Sequence, residues 1–157
     1  MRKFVISLFL ASVATLVLAA LSAAGGQGST VWSAKLTAAQ EFPKQAFKNT
    51  AASGSFTATL NGTQLTFKLT FTKLSGPPSM AHIHLGAMGV SGPVKVWLCG
   101  MGSPDSQLVA AHPCTSPMSG TVTVTPALQQ DFAKHLLYVN VHTAKNPNGE
   151  IRGQLAG

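Results

Sequence analysis

Acidic residues are nearly missing from this chain. Of its 157 residues only Glu41, Asp105, Asp131 and Glu150 are acids, and no two lie close together. A two-carboxylate glycosidase site therefore has no support in the sequence. The eleven Lys and Arg are scattered singly, without a basic block or a basic-aromatic stripe, which argues against a nucleic-acid surface. No G-x-S-x-G elbow, H-E-x-x-H helix or Walker-type loop occurs, so the common hydrolase and nucleotide signatures are absent. There are two cysteines, Cys99 and Cys114. A blue-copper centre pairs one Cys thiolate with two His and usually a Met, and "CTSPM" carries no His between Cys114 and Met118. Charged residues make up 10% of the chain, leaving Thr, Ser, Asn and Gln to form most of the polar surface.

The first two dozen residues read as a targeting segment. Met1-Arg2-Lys3 is a short positive start, Phe4 to Ala24 is an unbroken apolar and small-residue run, and Ala20, Ser22, Ala23 and Ala24 crowd its end. This pattern predicts a secretory signal over residues 1–24, followed by a domain over 25–157 in the periplasm, at the cell surface or secreted. An uncleaved N-terminal anchor is the alternative, because the run approaches the ~20 apolar residues that can span a bilayer. Cleavage would leave no membrane span and would lower the formal charge from +7 to +5. In an oxidising compartment Cys99 and Cys114 would pair as one disulfide.

The remainder alternates at period two. "GSFTATL" puts Phe56, Ala58 and Leu60 on one face, and "QLTFKLTF" answers with Leu65, Phe67, Leu69 and Phe71, with Asn61-Gly62 as the turn between them. Further strands are predicted at 31–36, 80–85, 94–99, 120–125, 136–143 and 150–155, separated by Gly- and Pro-rich turns. One short helix fits 126–135, capped by Thr125 with Pro126 at its first position. About eight short strands and one helix predict an all-β, antiparallel Greek-key or immunoglobulin-like β-sandwich. No internal repeat or low-complexity linker divides it, so it reads as one domain.

Alternation also sorts the polar residues. His82 and His84 share a face in "AHIHL"; Tyr138, Asn140 and His142 share one in "LLYVNVHT"; Glu150 and Arg152 share one in "GEIRGQL". If these strands are neighbours, the groups form a single cluster. Imidazoles at i and i+2 lie about 6.6 Å apart on one side. They can converge on an ion held about 2.0–2.1 Å from each nitrogen, with a third histidine from the next strand.

"LTAAQEFP", Gly54, "AHIHLGAMGVSGPVKVWL" and "YVNVHTAKNPNGEIRGQL" resemble, in order, the chordin-type (CHRD) domain family across nearly the whole region after the leader. Where that family usually carries E-V-P-P, this chain has Glu41-Phe42-Pro43-Lys44. The resemblance implies an extracellular β-sandwich, found alone in bacteria and repeated in animal chordin. Chordin's capture of bone morphogenetic proteins is credited to cysteine-rich modules that this chain lacks. The family thus supplies a fold more readily than an activity.

Besides plain exposure to solvent, two readings of His82, His84 and His142 stand side by side. One is a metal centre for copper or zinc, copper foremost; the other is a hydrogen-bonded network with Tyr138, Asn140, Glu150 and Arg152 as its polar surround. Met80, Met88, Met101 and Met118 could offer thioethers to Cu(I), although loop methionines more often fill gaps. Glu150 and Arg152 read as an ion pair or a solvated face, and His112 and His135 as incidental. The leading functional expectation is an exported binding or structural module without catalysis. The alternatives are a small redox metalloenzyme of the superoxide or copper kind, and a metal-free module for a cell-surface polymer or protein.

Overall fold

The structure is a computed structural model describing residues 28–44, 49–100 and 113–157. The leader expected at 1–24, together with Met101 and His112, lies outside the described residues. Eight strands follow in chain order: β1 Thr30–Thr37, β2 Ser53–Asn61, β3 Gln64–Thr72, β4 Pro78–Leu85, β5 Val94–Cys99, β6 Met118–Thr123, β7 Leu137–Thr143 and β8 Ile151–Gln154. One helix, α1 Pro126–Ala133, precedes β7, and a 3-10 turn at Ala38–Gln40 follows β1. All pairings are antiparallel, in the order β5-β4-β7-β8-β1-β2-β3-β6.

The expected all-β, antiparallel architecture is realised as one sheet of eight strands. One join within it is narrow: β1 meets β8 at Thr37–Arg152 and through the Ser33–Ala156 bridge. Gly153 permits this approach, because a Cβ there would lie 2.7 Å from the Lys35 carbonyl oxygen. A single core draws on every strand, including Leu36, Phe56, Phe67, Ile83, Leu98, Met118, Val139 and Ile151. Phe56 and Phe67 stack within it, with ring centroids 6.0 Å apart. Burying a side chain of this size contributes about 1.5–3 kcal/mol, which is why the period-two pattern dictates the sheet's inner face.

The free edges are β5 and β6. Cys99 ends β5, Cys114 precedes β6, and their disulfide, with Cα atoms 5.1 Å apart, ties one edge to the approach of the other. The sheet is therefore nearly closed.

Local departures have local causes. The first hairpin turns at Gly62-Thr63, one residue later than expected, because Asn61 still pairs with Gln64 and Gly62 alone takes positive φ, +55°. Strand β6 begins two residues earlier than alternation suggested, since Met118 pairs with Leu69 and enters the core. Helix α1 starts as predicted, with Thr125 Oγ1 accepting from the Leu128 backbone N–H at 3.2 Å. It stops at Ala133, with Lys134 as C-cap and His135 at φ +56°, the left-handed turn that ends many helices.

Candidate metal centre

Strand β7 has no solvent face. All seven of its residues are buried, the polar ones included. Its inner side chains, Leu137, Val139 and Val141, enter the core, while Tyr138, Asn140 and His142 point outward beneath loops that cover them. Residues 86–93 form one cover, pinned by four side-chain contacts from the sheet. Arg152 Nη2 donates to the Ala87 carbonyl at 2.9 Å, and Gln154 Nε2 donates to the Gly86 carbonyl at 3.0 Å. Tyr138 Oη accepts from the Gly92 N–H at 3.2 Å, and His84 Nδ1 donates to the Gly92 carbonyl at 2.9 Å. Gly92 lets the loop lie this close, because any Cβ there would overlap the Leu85 carbonyl.

The register of β4 on β7 brings the histidines together. His82 lies opposite Asn140, His84 opposite Tyr138, and Met80 opposite His142. His142 is therefore one step diagonal from His82, within reach of an imidazole. One nitrogen from each of His82, His84 and His142 falls within 4.8 Å of the others. The nearest pair, His82 Nδ1 and His142 Nε2, is 3.1 Å apart.

Hydrogen bonds set the tautomers. His84 Nδ1 faces the Gly92 carbonyl and His142 Nδ1 faces the Pro147 carbonyl at 3.0 Å. A carbonyl can only accept, so both Nδ1 atoms carry the proton and both Nε2 atoms keep a lone pair. His82 Nδ1–H then donates to His142 Nε2, leaving its own Nε2 as a lone pair. The Nε2 atoms of His82 and His84 are buried, with no hydrogen-bond partner among the described residues. All three rings are thereby neutral. Burial first, then the charges of neighbouring imidazoles, pull His82 down to about 3. Burial likewise takes His142 down to about 4 against the pull of its Pro147 bond, and it lowers His84 as well. Neutral imidazole is the metal-binding form.

The surround is aromatic and largely uncharged. Trp97 meets His82 edge-on, with ring centroids 4.1 Å apart. Tyr138 lies parallel to His84 at 4.8 Å and takes the Arg152 guanidinium over its own ring at 3.4 Å. Asn140 Nδ2 donates to Glu41 Oε2 at 3.0 Å. Burial raises the Glu41 carboxyl to about 7, against the lowering pull of that Asn140 bond and of Arg152. Of the polar groups expected around the histidines, Tyr138, Asn140 and Arg152 are there.

Glu150 is not. Its carboxylate accepts from Thr143 Oγ1 at 2.6 Å, from the Ser75 N–H at 2.6 Å and hydroxyl at 2.7 Å, and from Asn49 Nδ2 at 3.0 Å. Burial opposes ionisation here, but these donors outweigh it and hold Glu150 below the usual carboxylate range. The expected pairing with Arg152 gives way for a backbone reason. Strand β8 begins at Ile151, and Gly149 precedes it at φ +123°, so simple alternation does not extend back to Glu150. Met88 is 74% exposed on the loop tip and Met118 lies in the core, so of the described methionines only Met80 shares the histidine face.

Sequence reasoning missed Glu41 and Trp97. The 3-10 turn at Ala38–Gln40 carries Glu41 beneath Asn140, and no periodicity announces such a turn. The one sequence signal for Glu41 is its place within "LTAAQEFP". That segment, "AHIHLG" and "NVHT…GEIRGQ" are far apart in the chain and meet around one site. The family model described as the CHRD domain matches residues 32–155, which takes in all three. The chain belongs to the CHRD domain family. No curated protein and no solved structure matches it. The CHRD match thus spans every segment that contributes to the covered outer face of β4, β7 and β8.

Proposed function

We propose that this CHRD domain is an exported binding or structural module that holds one transition-metal ion, copper or zinc, through His82, His84 and His142. One observation carries the reading. Two of the rings are oriented by backbone carbonyls at their Nδ1 atoms, and one nitrogen from each of the three histidines lies within 4.8 Å of the others. Carbonyl-oriented imidazoles are the usual support of metal ligands. A purely structural network would need no buried lone pair without a donor, yet His82 Nε2 and His84 Nε2 are both in that state.

Binding is favoured over turnover because a catalytic metal keeps a coordination position that substrate can reach. Here the loop 86–93 closes over the rings and the Nε2 atoms of His82 and His84 are out of contact with solvent. Export is favoured by the apolar leader with its small-residue end and by the Cys99–Cys114 disulfide. Among the described residues no helix is long and apolar enough to cross a membrane.

The test is metal analysis of untagged protein after loading with copper and zinc and washing. Wild type should retain one ion per chain and the His82→Ala/His84→Ala variant none. Equal, substoichiometric metal in both would assign the histidines to the fold alone.

A further inference from the structure

We infer that the centre is built for a monovalent soft ion, Cu(I), and discriminates against the dications Zn(II) and Cu(II). This rests on the metal reading above and deepens it. The first argument is charge. Among the described residues the converging set consists of three histidines and no carboxylate. Glu41 is turned to Asn140, and Glu150 to Thr143 and Ser75. A site made of neutral donors leaves the whole ionic charge buried, and the desolvation cost of a buried ion rises with the square of that charge, about fourfold from +1 to +2.

Arg152 adds to this. Its guanidinium lies over Tyr138 at 3.4 Å, and the other contact of that ring is His84, parallel at 4.8 Å. The cation is thus one aromatic ring away from a ligand, and it repels a dication twice as strongly as a monocation.

The second argument is coordination. Structural zinc is almost always four-coordinate, with a donor at each tetrahedral corner. Beside the three imidazoles Tyr138 Oη and Asn140 Nδ2 are engaged elsewhere, while Asn140 Oδ1, buried without a partner among the described residues, is a neutral oxygen donor and brings no compensating charge. Tyr138 Oη accepts from Gly92, and Asn140 Nδ2 donates to Glu41. The remaining neighbours are soft: Met80 stands opposite His142 on the same sheet face, and Trp97 presents its ring to His82 at 4.1 Å. Three neutral imidazoles with no carboxylate among them suit a monovalent ion better than a dication.

The experiment uses untagged protein and three metals. Cu(I) is titrated anaerobically against a chromogenic Cu(I) chelator. Ag(I), as a redox-inert monovalent probe, and Zn(II) are followed by fluorescence, with Trp97→Phe identifying the reporter. One Cu(I) per chain is expected, bound at least about a thousandfold more tightly than Zn(II), with Ag(I) quenching Trp97 at one equivalent. X-ray absorption at the copper edge should show nitrogen scatterers at about 2.0 Å with imidazole outer-shell features. Zn(II) binding within about tenfold of Cu(I) would overturn the preference and leave the metal reading standing. No metal retained by wild type above the level of His82→Gln/His142→Gln would overturn both. The copper-edge spectrum needs no variant, so loss of folding in the double mutant does not blunt the test. An edge spectrum without imidazole scattering would also reject the assignment.

Discussion

Replacing Glu41 by Gln should change how the metal-free protein responds to acid. Four groups of the site decide the response, Glu41 and the three histidines, and they pull in opposite directions. Glu41 has its carboxyl raised from 4.5 to about 7 by burial, so between those values the folded state holds a proton that the unfolded chain has released. Its contribution is full below pH 4.5 and is lost as pH rises through 7. The span is worth about 3 kcal/mol at 1.36 kcal/mol per pH unit. His82 and His142 are lowered from 6.5 to about 3 and about 4, so their contribution is present above pH 6.5 and lost as pH falls. From pH 7.5 to 4.5 these two remove about 5 kcal/mol. Counting Glu41, His82 and His142 alone the wild type should lose about 2 kcal/mol over that range, and His84, lowered by burial as well, adds to that loss.

Gln at position 41 keeps an oxygen for the Asn140 amide and cannot titrate. The variant should be more stable than wild type near pH 8 by about 3 kcal/mol, and should lose at least about 5 kcal/mol on acidification to pH 4.5. Urea unfolding in a metal chelator, repeated every half pH unit, measures both. Parallel stability curves for the two proteins would refute the linkage and with it the buried ionisable state assigned to Glu41.

Two further outcomes test the cover and the second polar network. Gly92→Ala should displace the loop 86–93, because its Cβ would overlap the Leu85 carbonyl. A cost of about 1–3 kcal/mol in denaturant unfolding is expected, together with faster amide exchange at Tyr138 and His84. Glu150→Ala should cost about 2–4 kcal/mol by stranding the Thr143 and Ser75 donors, while leaving metal retention intact. Loss of metal in that variant would contradict the separation of Glu150 from the histidines.

The strands are legible because each inner face repeats at period two. Alternation alone assigns Phe56, Ala58, Leu60, Leu65, Phe67, Leu69 and Phe71 inward; five of them are buried, and Leu60 and Phe71, near the strand ends, are partly buried against the core. The helix cap at Thr125 is equally readable, since capping is a local exchange between a hydroxyl and an N–H three residues on. Turn details are less so. Asn61-Gly62 is a strong hairpin signal, yet pairing of Asn61 with Gln64 moves the turn by one residue. At the candidate site, alternation puts His82 beside His84, and Tyr138, Asn140 and His142 on one face. It misplaces Glu150 because the alternation starts anew after Gly149.

Local chemistry along the chain is enough for the strand periods, the inward faces, the helix start and the pairing open to its two cysteines. Those properties depend on neighbours within a few residues, or on having just two thiols. Which strands lie side by side is a matter of long-range pairing. Only that pairing sets His142 diagonal to His82, and only the fold-back of residues 86–93 and the turn at 38–40 buries the outer face of β7. A polar stripe that would otherwise meet water becomes a dry cluster of neutral imidazoles. The physical reason is that burial, tautomer and charge at this site belong to groups from distant segments, and no local pattern encodes their meeting.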